Sequence, residues 1–303
     1  MAPPLDELKD RLREVNDLNA AAAVLSWDQA TYMPPGGAGA RGRQMATLGR
    51  LAHERFSDAA IGRLLDRLER DTAGRPEDDD TRALLRVTRR EYERAVRVPP
   101  AFVAEMTAHS SLSYQAWTEA RPANDFARMR PLLERTVELS RRYSDFFPGY
   151  ASVADPHIDA SDLGMTAASV RALFDELRAR LVPLVRAITS RPPADDSCLR
   201  QRAPAADQLA FGLEVIRRYG YDLARGRCDL THHPFMTSFS PGDVRITTRL
   251  REDELVYALF STMHECGHAL YEQGIRRDFE GLPLATGASA GVHESQSRLW
   301  ENL

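Results

Sequence analysis

The residues with the clearest chemistry are His264, Glu265 and His268, which form the pattern H-E-x-x-H within segment 253–274. Residues four positions apart lie on one face of a helix, so both imidazoles can reach a single metal ion. Glu265 would lie near that ion without being a ligand, and it could act as a general base towards a water molecule bound there. The pattern therefore predicts a hydrolytic zinc site in which Glu265 is the catalytic residue.

A catalytic zinc site needs a third ligand from the protein. A third histidine six residues after His268 is excluded, because Gly274 stands at that position. The candidates further along are His293 and Glu294, and Glu294 lies 26 residues after His268, beyond a glycine-rich connection. We expect Glu294 to be the third ligand. His293 is the weaker candidate, and its alternative role is to contact a ligand from behind.

Helical periodicity dominates the segments that must position these residues. Thr166 is a candidate N-cap for one long helix, over 167–189, and Pro183 is expected to kink or interrupt that helix. Apolar residues recur every three or four positions in segments 5–25, 43–55, 60–70, 81–96, 102–118, 129–143, 167–189 and 205–218.

One segment breaks this periodicity just before the H-E-x-x-H helix. Residues 236–239 and 244–248 are rich in β-branched and aromatic side chains, and Ser-Pro-Gly-Asp at 240–243 is a strong turn signal. The sequence therefore predicts a mainly α fold with a small antiparallel β-hairpin or sheet beside the zinc-binding helix.

Composition excludes several classes of protein. The chain has 303 residues with 43% hydrophobic content, which is too apolar for a disordered chain. Its 40 basic and 44 acidic residues give a net charge of −4, without the basic excess of a nucleic-acid-binding protein. We expect no membrane span, because no long uncharged apolar stretch occurs, and no secretion signal, because the first residues have neither a basic nor an apolar region. Three cysteines, Cys198, Cys228 and Cys266, without a C-x-x-C pair favour a reducing cytoplasm.

Taken in order, the motifs resemble those of the M32 metallocarboxypeptidases, the carboxypeptidase Taq family. The resemblance extends over essentially the whole chain. It rests on His264-Glu265-x-x-His268, His293-Glu294-Ser295-Gln296, His233-Pro234-Phe235, the D-x-R-x-T residues Asp243, Arg245 and Thr247, and the opening segment Leu25-Ser26-Trp27-Asp28-Gln29 with Met33-Pro34-Pro35.

The resemblance implies a largely helical fold with a deep cleft and a small sheet beside the zinc helix. It implies that residues 1–303 form one incomplete catalytic domain, with a helical part at 1–225 and the hairpin and zinc region at 226–303. It also implies a cytoplasmic homodimer that removes single C-terminal residues from peptides, with broad specificity but poor action after proline. The edge of the sheet could pair with an extended peptide.

The resemblance also implies roles for particular residues. Zinc, or cobalt, would be held by His264, His268 and Glu294, with Glu265 as the general base. His233 would donate a hydrogen bond to the substrate backbone or to the oxyanion, or it is a structural histidine before a proline turn. Arg245 is a candidate substrate contact, although pairing with Asp243 to brace the strand is the favoured interpretation.

The chain departs from the family in length, since about two-fifths of the expected residues are missing. The later motifs I-R-x-x-A-D and G-x-x-Q-D-x-H-W are absent, and with them the arginine expected to bind a substrate's terminal carboxylate. Residues 291–303 are expected to form an uncapped helix with an exposed apolar patch at Leu299, Trp300 and Leu303. The alternatives are therefore an inactive, truncated zinc-binding paralogue or fragment, a related zinc aminopeptidase or endopeptidase, and a helical interaction protein.

Overall fold

The computed structural model of the chain describes residues 3–200 and 202–302. Helices dominate this part of the chain, and none of them is long and apolar enough to cross a membrane. The described helices are α1 (Pro4–Thr31), α2 (Ala38–Phe56), α3 (Ala59–Thr72), α4 (Asp80–Ala95), α5 (Pro100–Ala120), α6 (Phe126–Asp145), α7 (Asp155–Ser161), α8 (Ala167–Thr189), α9 (Ala205–Arg218), α10 (Leu255–Gln273) and α11 (Ala290–Asn302).

The helices expected from apolar periodicity are present, and local capping explains several of their starts. Thr166 caps α8 as expected, with its side chain accepting from the Ser169 amide while the Ser169 hydroxyl accepts from the Thr166 amide. Pro183 does not interrupt α8, which runs unbroken from Ala167 to Thr189. A proline removes a single backbone donor, and the turns on either side keep their own hydrogen bonds.

A three-stranded sheet lies between α9 and α10 along the chain. Strands β2 (Met236–Ser240) and β3 (Asp243–Thr248) form the expected antiparallel hairpin. A third strand, β1 (Cys228–Leu230), pairs parallel with β3, which makes the sheet mixed, with the order β1-β3-β2. The prediction of a mainly helical fold with a small sheet is confirmed. β1 was not foreseen, because three residues carry no strand pattern of their own.

Three apolar clusters hold the described residues together, and two of them include segments on either side of the H-E-x-x-H pattern. The first joins α1, α3 and α4 to the loop before α11, since Leu282 packs with the other leucines and is only 5% exposed. Burying a leucine or isoleucine side chain contributes about 1.5–3 kcal/mol. The residues of the first cluster are Leu8, Leu12, Ile61, Leu65, Leu68, Leu84, Leu85 and Leu282.

The second apolar cluster places α10 against the sheet and α9. Ile216 of α9 and Ile246 of β3 are fully buried, together with Cys266 and Ala269 of α10. On the same helix, the hydroxyls of Thr248 and Thr262 lie 2.8 Å apart and are hydrogen-bonded, which fixes α10 to the end of β3. The helix that carries H-E-x-x-H is therefore held from two sides.

Candidate metal centre

His264 and His268 lie one turn apart on the same face of α10, as their spacing predicts. Their ring centroids are 4.9 Å apart, and the side chains are 20% and 16% exposed. Apolar residues on the rest of α10 pack against α9 and the sheet. This packing holds the helix, and with it the two imidazoles, in place.

Glu294 of α11 reaches both histidines. Its Oε1 lies 3.7 Å from Nε2 of His264, and its Oε2 lies 3.4 Å from Nε2 of His268. Zinc–ligand bonds of 2.0–2.2 Å in a tetrahedron separate neighbouring ligand atoms by about 3.4 Å. One ligand atom from each residue lies within 4.8 Å of those of the other two, so the donor set fits a zinc-sized ion. Glu294 is 49% exposed, which leaves this side of the group open to solvent.

Gly267, inside the H-E-x-x-H pattern, allows α11 to approach α10 closely. A Cβ atom at Gly267 would lie 2.7 Å from the carbonyl oxygen of Gln296 and 2.7 Å from Cα of Ser297, and Ser297 is fully buried. Only glycine avoids this backbone clash. The role of Gly267 was missed from the sequence, although a glycine in the middle of a strongly helical segment is a recognisable signal of close packing.

Glu265 is buried and lies outside the group of three ligand atoms. Burial raises the pKa of its carboxyl group to about 7, the negative charge of Glu294 adds to the rise, and a hydrogen bond from the Met236 amide opposes it. A carboxyl group with a pKa near neutrality can both accept and return a proton. A cation held by the neighbouring ligands would favour the ionised form.

Burial lowers the pKa of His268 to about 4, and the neighbouring His293 and His264 rings contribute to the fall. His268 is therefore a neutral imidazole at physiological pH, which is the form that binds metals.

The nitrogen of each histidine that faces away from Glu294 is also hydrogen-bonded. Nδ1 of His264 lies 3.1 Å from Oε2 of Glu301, and Nδ1 of His268 lies 2.6 Å from Nδ1 of His293. His293 is thus placed beside His268 and outside the group of ligand atoms. The sequence analysis did not single out Glu301, yet its position seven residues after Glu294 places it on the same face of α11.

The two remaining candidates lie apart from this group. His233 is exposed and makes an edge contact with the Trp117 ring, beside a separate cavity of about 600 Å³. The guanidinium of Arg245 makes two hydrogen bonds of 2.8 Å to Asp243 and stacks 4.4 Å from the Trp27 ring centroid. These contacts brace β3 against α1.

Only part of the patch expected at the end of α11 is exposed. Leu299 is 43% exposed, whereas Trp300 is half-buried against Tyr219, with ring centroids 4.8 Å apart. Leu303 lies outside the described residues.

Two imidazoles from one helix and a carboxylate from the next, with a buried glutamate beside them, are the arrangement typical of a metal-dependent hydrolase. Residues 7–303 match the family profile of the carboxypeptidase Taq (M32) metallopeptidases. The chain belongs to this family.

Named relatives agree in sequence. Thermostable carboxypeptidase 1 of Thermus thermophilus is 39% identical over 96% of this chain, and carboxypeptidase 1 of Bacillus subtilis is 34% identical over 98%. Each match covers 59% of the relative, so the chain spans about three-fifths of the length of these proteins.

Solved structures agree in fold. A crystal structure described as BsuCP superposes with a TM-score of 0.95 at 32% identity, covering 99% of this chain and 60% of that one. The M32 carboxypeptidase of Deinococcus radiodurans R1 gives a TM-score of 0.83 at 49% identity, with the same coverage of both chains.

Proposed function

We propose that this chain carries the zinc centre of a metallocarboxypeptidase that removes C-terminal residues from peptides. The observation that carries the proposal is the convergence of one ligand atom from each of His264, His268 and Glu294 within 4.8 Å of one another. Family membership supports a metal ion and peptide substrates, and the nitrogen and oxygen donors favour zinc, with cobalt as a substitute.

The residues around the centre have distinct tasks in this proposal. When bound, zinc would supply a Lewis acid that activates water and polarises the scissile carbonyl group. His264, His268 and Glu294 hold the ion, and Glu265 takes the proton from the attacking water and passes it to the leaving amine. The buried position of Glu265 on α10, directly after His264 in the chain, supports this task.

The free edge of β2 is the proposed path for the peptide. Among the described residues β2 pairs only with β3, so its other edge leaves backbone groups for an extended strand, apart from the Met236 amide, which donates to Glu265. Met236, Thr237 and Ser238 of this strand line a cavity of about 1020 Å³ that also includes His293. His293 contacts His268, so a peptide on this edge would pass the zinc ligands.

We further propose that 1–225 and 226–303 are parts of one domain, as the family resemblance implies. In support, Leu282 packs among the leucines of α1, α3 and α4, and the Tyr32 hydroxyl at the end of α1 donates to Asp229 of β1. A homodimer is part of the same proposal, and sedimentation velocity would measure it.

Peptide hydrolysis by the purified chain, loaded with one equivalent of Zn²⁺, tests the proposal. We expect C-terminal residues to be released from free-acid peptides, and a chelator to stop the release. Glu265→Gln should retain zinc and lose activity by about 10²–10⁴-fold. Glu280→Gln, at an exposed position away from the centre, is the matched control and should keep full activity.

Two outcomes would overturn the proposal. Equal cleavage of amidated and free-acid peptides would exclude a carboxypeptidase and favour an endopeptidase. Stoichiometric zinc without hydrolysis would favour the inactive zinc-binding alternative, and Glu265→Gln would then change nothing measurable.

A further inference from the structure

Behind His268 lies a hydrogen-bonded chain of three side chains. Nδ1 of His268 lies 2.6 Å from Nδ1 of His293, and Nε2 of His293 lies 2.9 Å from Oε1 of Glu272. Glu272 stands one turn after His268 on α10 and is only 4% exposed, while His293 is contributed by α11. The chain therefore crosses the same helix pair that forms the metal centre.

The order of the protons in this chain follows from the carboxylate at its end. An ionised carboxylate only accepts hydrogen bonds, so Nε2 of His293 must be the donor to Glu272. In a neutral imidazole the other nitrogen is then the acceptor, so Nδ1 of His293 accepts from Nδ1 of His268. Nε2 of His268 is left without a proton, and it is the nitrogen that lies 3.4 Å from Glu294.

The carboxylate and the ring it orients are both fixed in place. Oε1 of Glu272 also accepts a 3.2 Å hydrogen bond from the Gly287 amide. A Cβ atom at Gly287 would lie 2.4 Å from Cδ2 of His293, so the loop backbone lies directly against the ring. The Tyr271 ring packs edge-on against the same imidazole, with centroids 5.0 Å apart.

The two zinc-binding histidines are thus oriented by different means. Nδ1 of His264 faces Glu301 directly, and that carboxylate also accepts from Arg298 at 2.8 Å. Nδ1 of His268 is linked to the carboxylate of Glu272 through His293. Both ring nitrogens of His293 are hydrogen-bonded and are therefore unavailable to a metal ion.

We propose that Glu272 and His293 are positioning residues that hold the proton of His268 on Nδ1, and thereby keep Nε2 of His268 free for the metal ion. The inference rests on the metal centre proposed above. Partners behind a metal-binding histidine typically contribute 10–100-fold to metal affinity. The effect is therefore measurable in the binding of Zn²⁺ alone, without any assay of hydrolysis.

The first test compares Zn²⁺ dissociation constants, measured by competition with a chromophoric chelator, for wild type and substituted chains. Glu272→Leu removes the acceptor and should weaken zinc binding by about 10–100-fold. Glu272→Gln keeps an amide oxygen that can accept from both His293 and Gly287, and it should stay within about threefold of wild type.

The matched control is Gln273→Leu, at the next position of the same helix. Gln273 is also buried, and it bonds to the backbone of Asp222 and Arg225, away from the centre. This substitution should lower the thermal midpoint of the apo chain without changing the Zn²⁺ dissociation constant of the folded protein. If Glu272→Leu weakens zinc binding and Gln273→Leu does not, the loss of zinc affinity is not a general consequence of lower stability.

The second test needs no substitution. In the zinc-loaded chain with ¹⁵N-labelled histidine, we expect protonated Nδ1 for His268 and protonated Nε2 for His293 in long-range ¹H–¹⁵N spectra. A proton on Nδ1 of His293, or zinc binding by folded Glu272→Leu within threefold of wild type, would overturn the inference. Failure of the wild-type chain to bind zinc, or equal binding by His264→Ala, would instead overturn the proposed centre itself.

Discussion

α10 and α8 are helices of similar length with apolar residues at helical spacing, yet they lie in opposite surroundings. Eight of the 19 residues of α10 are buried, whereas α8, which is described in full, has none buried among its 23. The exposed apolar side chains of α8 are Leu173, Phe174, Leu177, Leu181, Leu184, Val185 and Ile188, with exposures of 44–62%.

The difference shows what an apolar stripe does and does not determine. The stripe selects the helix and the face that prefers an apolar neighbour, but the neighbour must come from elsewhere in the chain. α10 receives α9, α11 and the sheet as neighbours. α8 is anchored mainly at its start, where the Ala167 amide donates a 2.7 Å hydrogen bond to Asp155.

The accessible surface of the molecule is large for its mass. It amounts to 17,701 Å² for 33.9 kDa. A compact monomer of that mass exposes about 12,800 Å² by the usual scaling of surface with mass. We expect stability to be concentrated in the three apolar clusters and the helix pair α10–α11, and substitutions test this contrast with α8.

The largest expected effect is on metal binding by α10. With Zn²⁺ at about 100 times its dissociation constant, the wild-type chain should gain about 2.7 kcal/mol of stability. His264→Ala removes a ligand and should abolish this gain, whereas Leu184→Ala on α8 should keep it. Urea unfolding with and without zinc measures both. An equal zinc-dependent gain in stability for wild type and both variants would mean that zinc binds at a site without His264.

The second comparison makes the same isoleucine-to-alanine substitution at a buried position and at an exposed position. Ile216 is fully buried beside α10, and Ile188 of α8 is 62% exposed. We expect Ile216→Ala to lower the free energy of unfolding by about 2–5 kcal/mol, because it leaves a cavity. Ile188→Ala should change that free energy by less than about 0.5 kcal/mol. Similar losses from the two variants in urea would mean that α8 is packed in solution.

The third comparison concerns the close contact of α10 with α11. Gly267→Ala forces Cβ against the backbone of α11 and should cost about 1–3 kcal/mol. Gly212→Ala on α9 is the matched control, since its Cβ would meet Thr262 at an ordinary 3.6 Å. That substitution should stabilise the chain by about 0.5–1 kcal/mol, because alanine favours a helix over glycine. The two variants should therefore shift the thermal midpoint in opposite directions.

The smallest effect on stability is expected from a charge on α8. Leu177 is 52% exposed, so Leu177→Lys should leave the free energy of unfolding within about 0.5 kcal/mol of wild type. It should also reduce self-association at high protein concentration, because it interrupts the exposed apolar face. Static light scattering over a concentration series measures self-association. Unchanged scattering would show that the apolar face of α8 does not mediate it.

Much of the fold and of the candidate centre could be predicted from local patterns. The helices follow from apolar periodicity, the hairpin from the turn at 240–243, and the convergence of His264 with His268 from four-residue spacing. These features depend on residues that are close in sequence, so the chain encodes them directly.

The remaining features depend on contacts between distant residues. The parallel pairing of Cys228 with Ile246 needs a partner strand that no short segment can specify. The same holds for the contacts of Glu301 and Glu272 behind the zinc ligands, which exist only once α11 lies on α10. The seven-residue helix α7 was also missed, because it is too short for a periodic pattern.

The half-buried indole of Trp300 has an optical consequence. It lies on α11, six residues beyond Glu294, and packs against the Tyr219 ring, while the other two tryptophans belong to α1 and α5. With Trp27 and Trp117 replaced by phenylalanine, fluorescence excited at the red edge of absorption would come from α11 alone. The wavelength of that emission would report in real time how closely α11, which carries Glu294, packs against the rest of the protein.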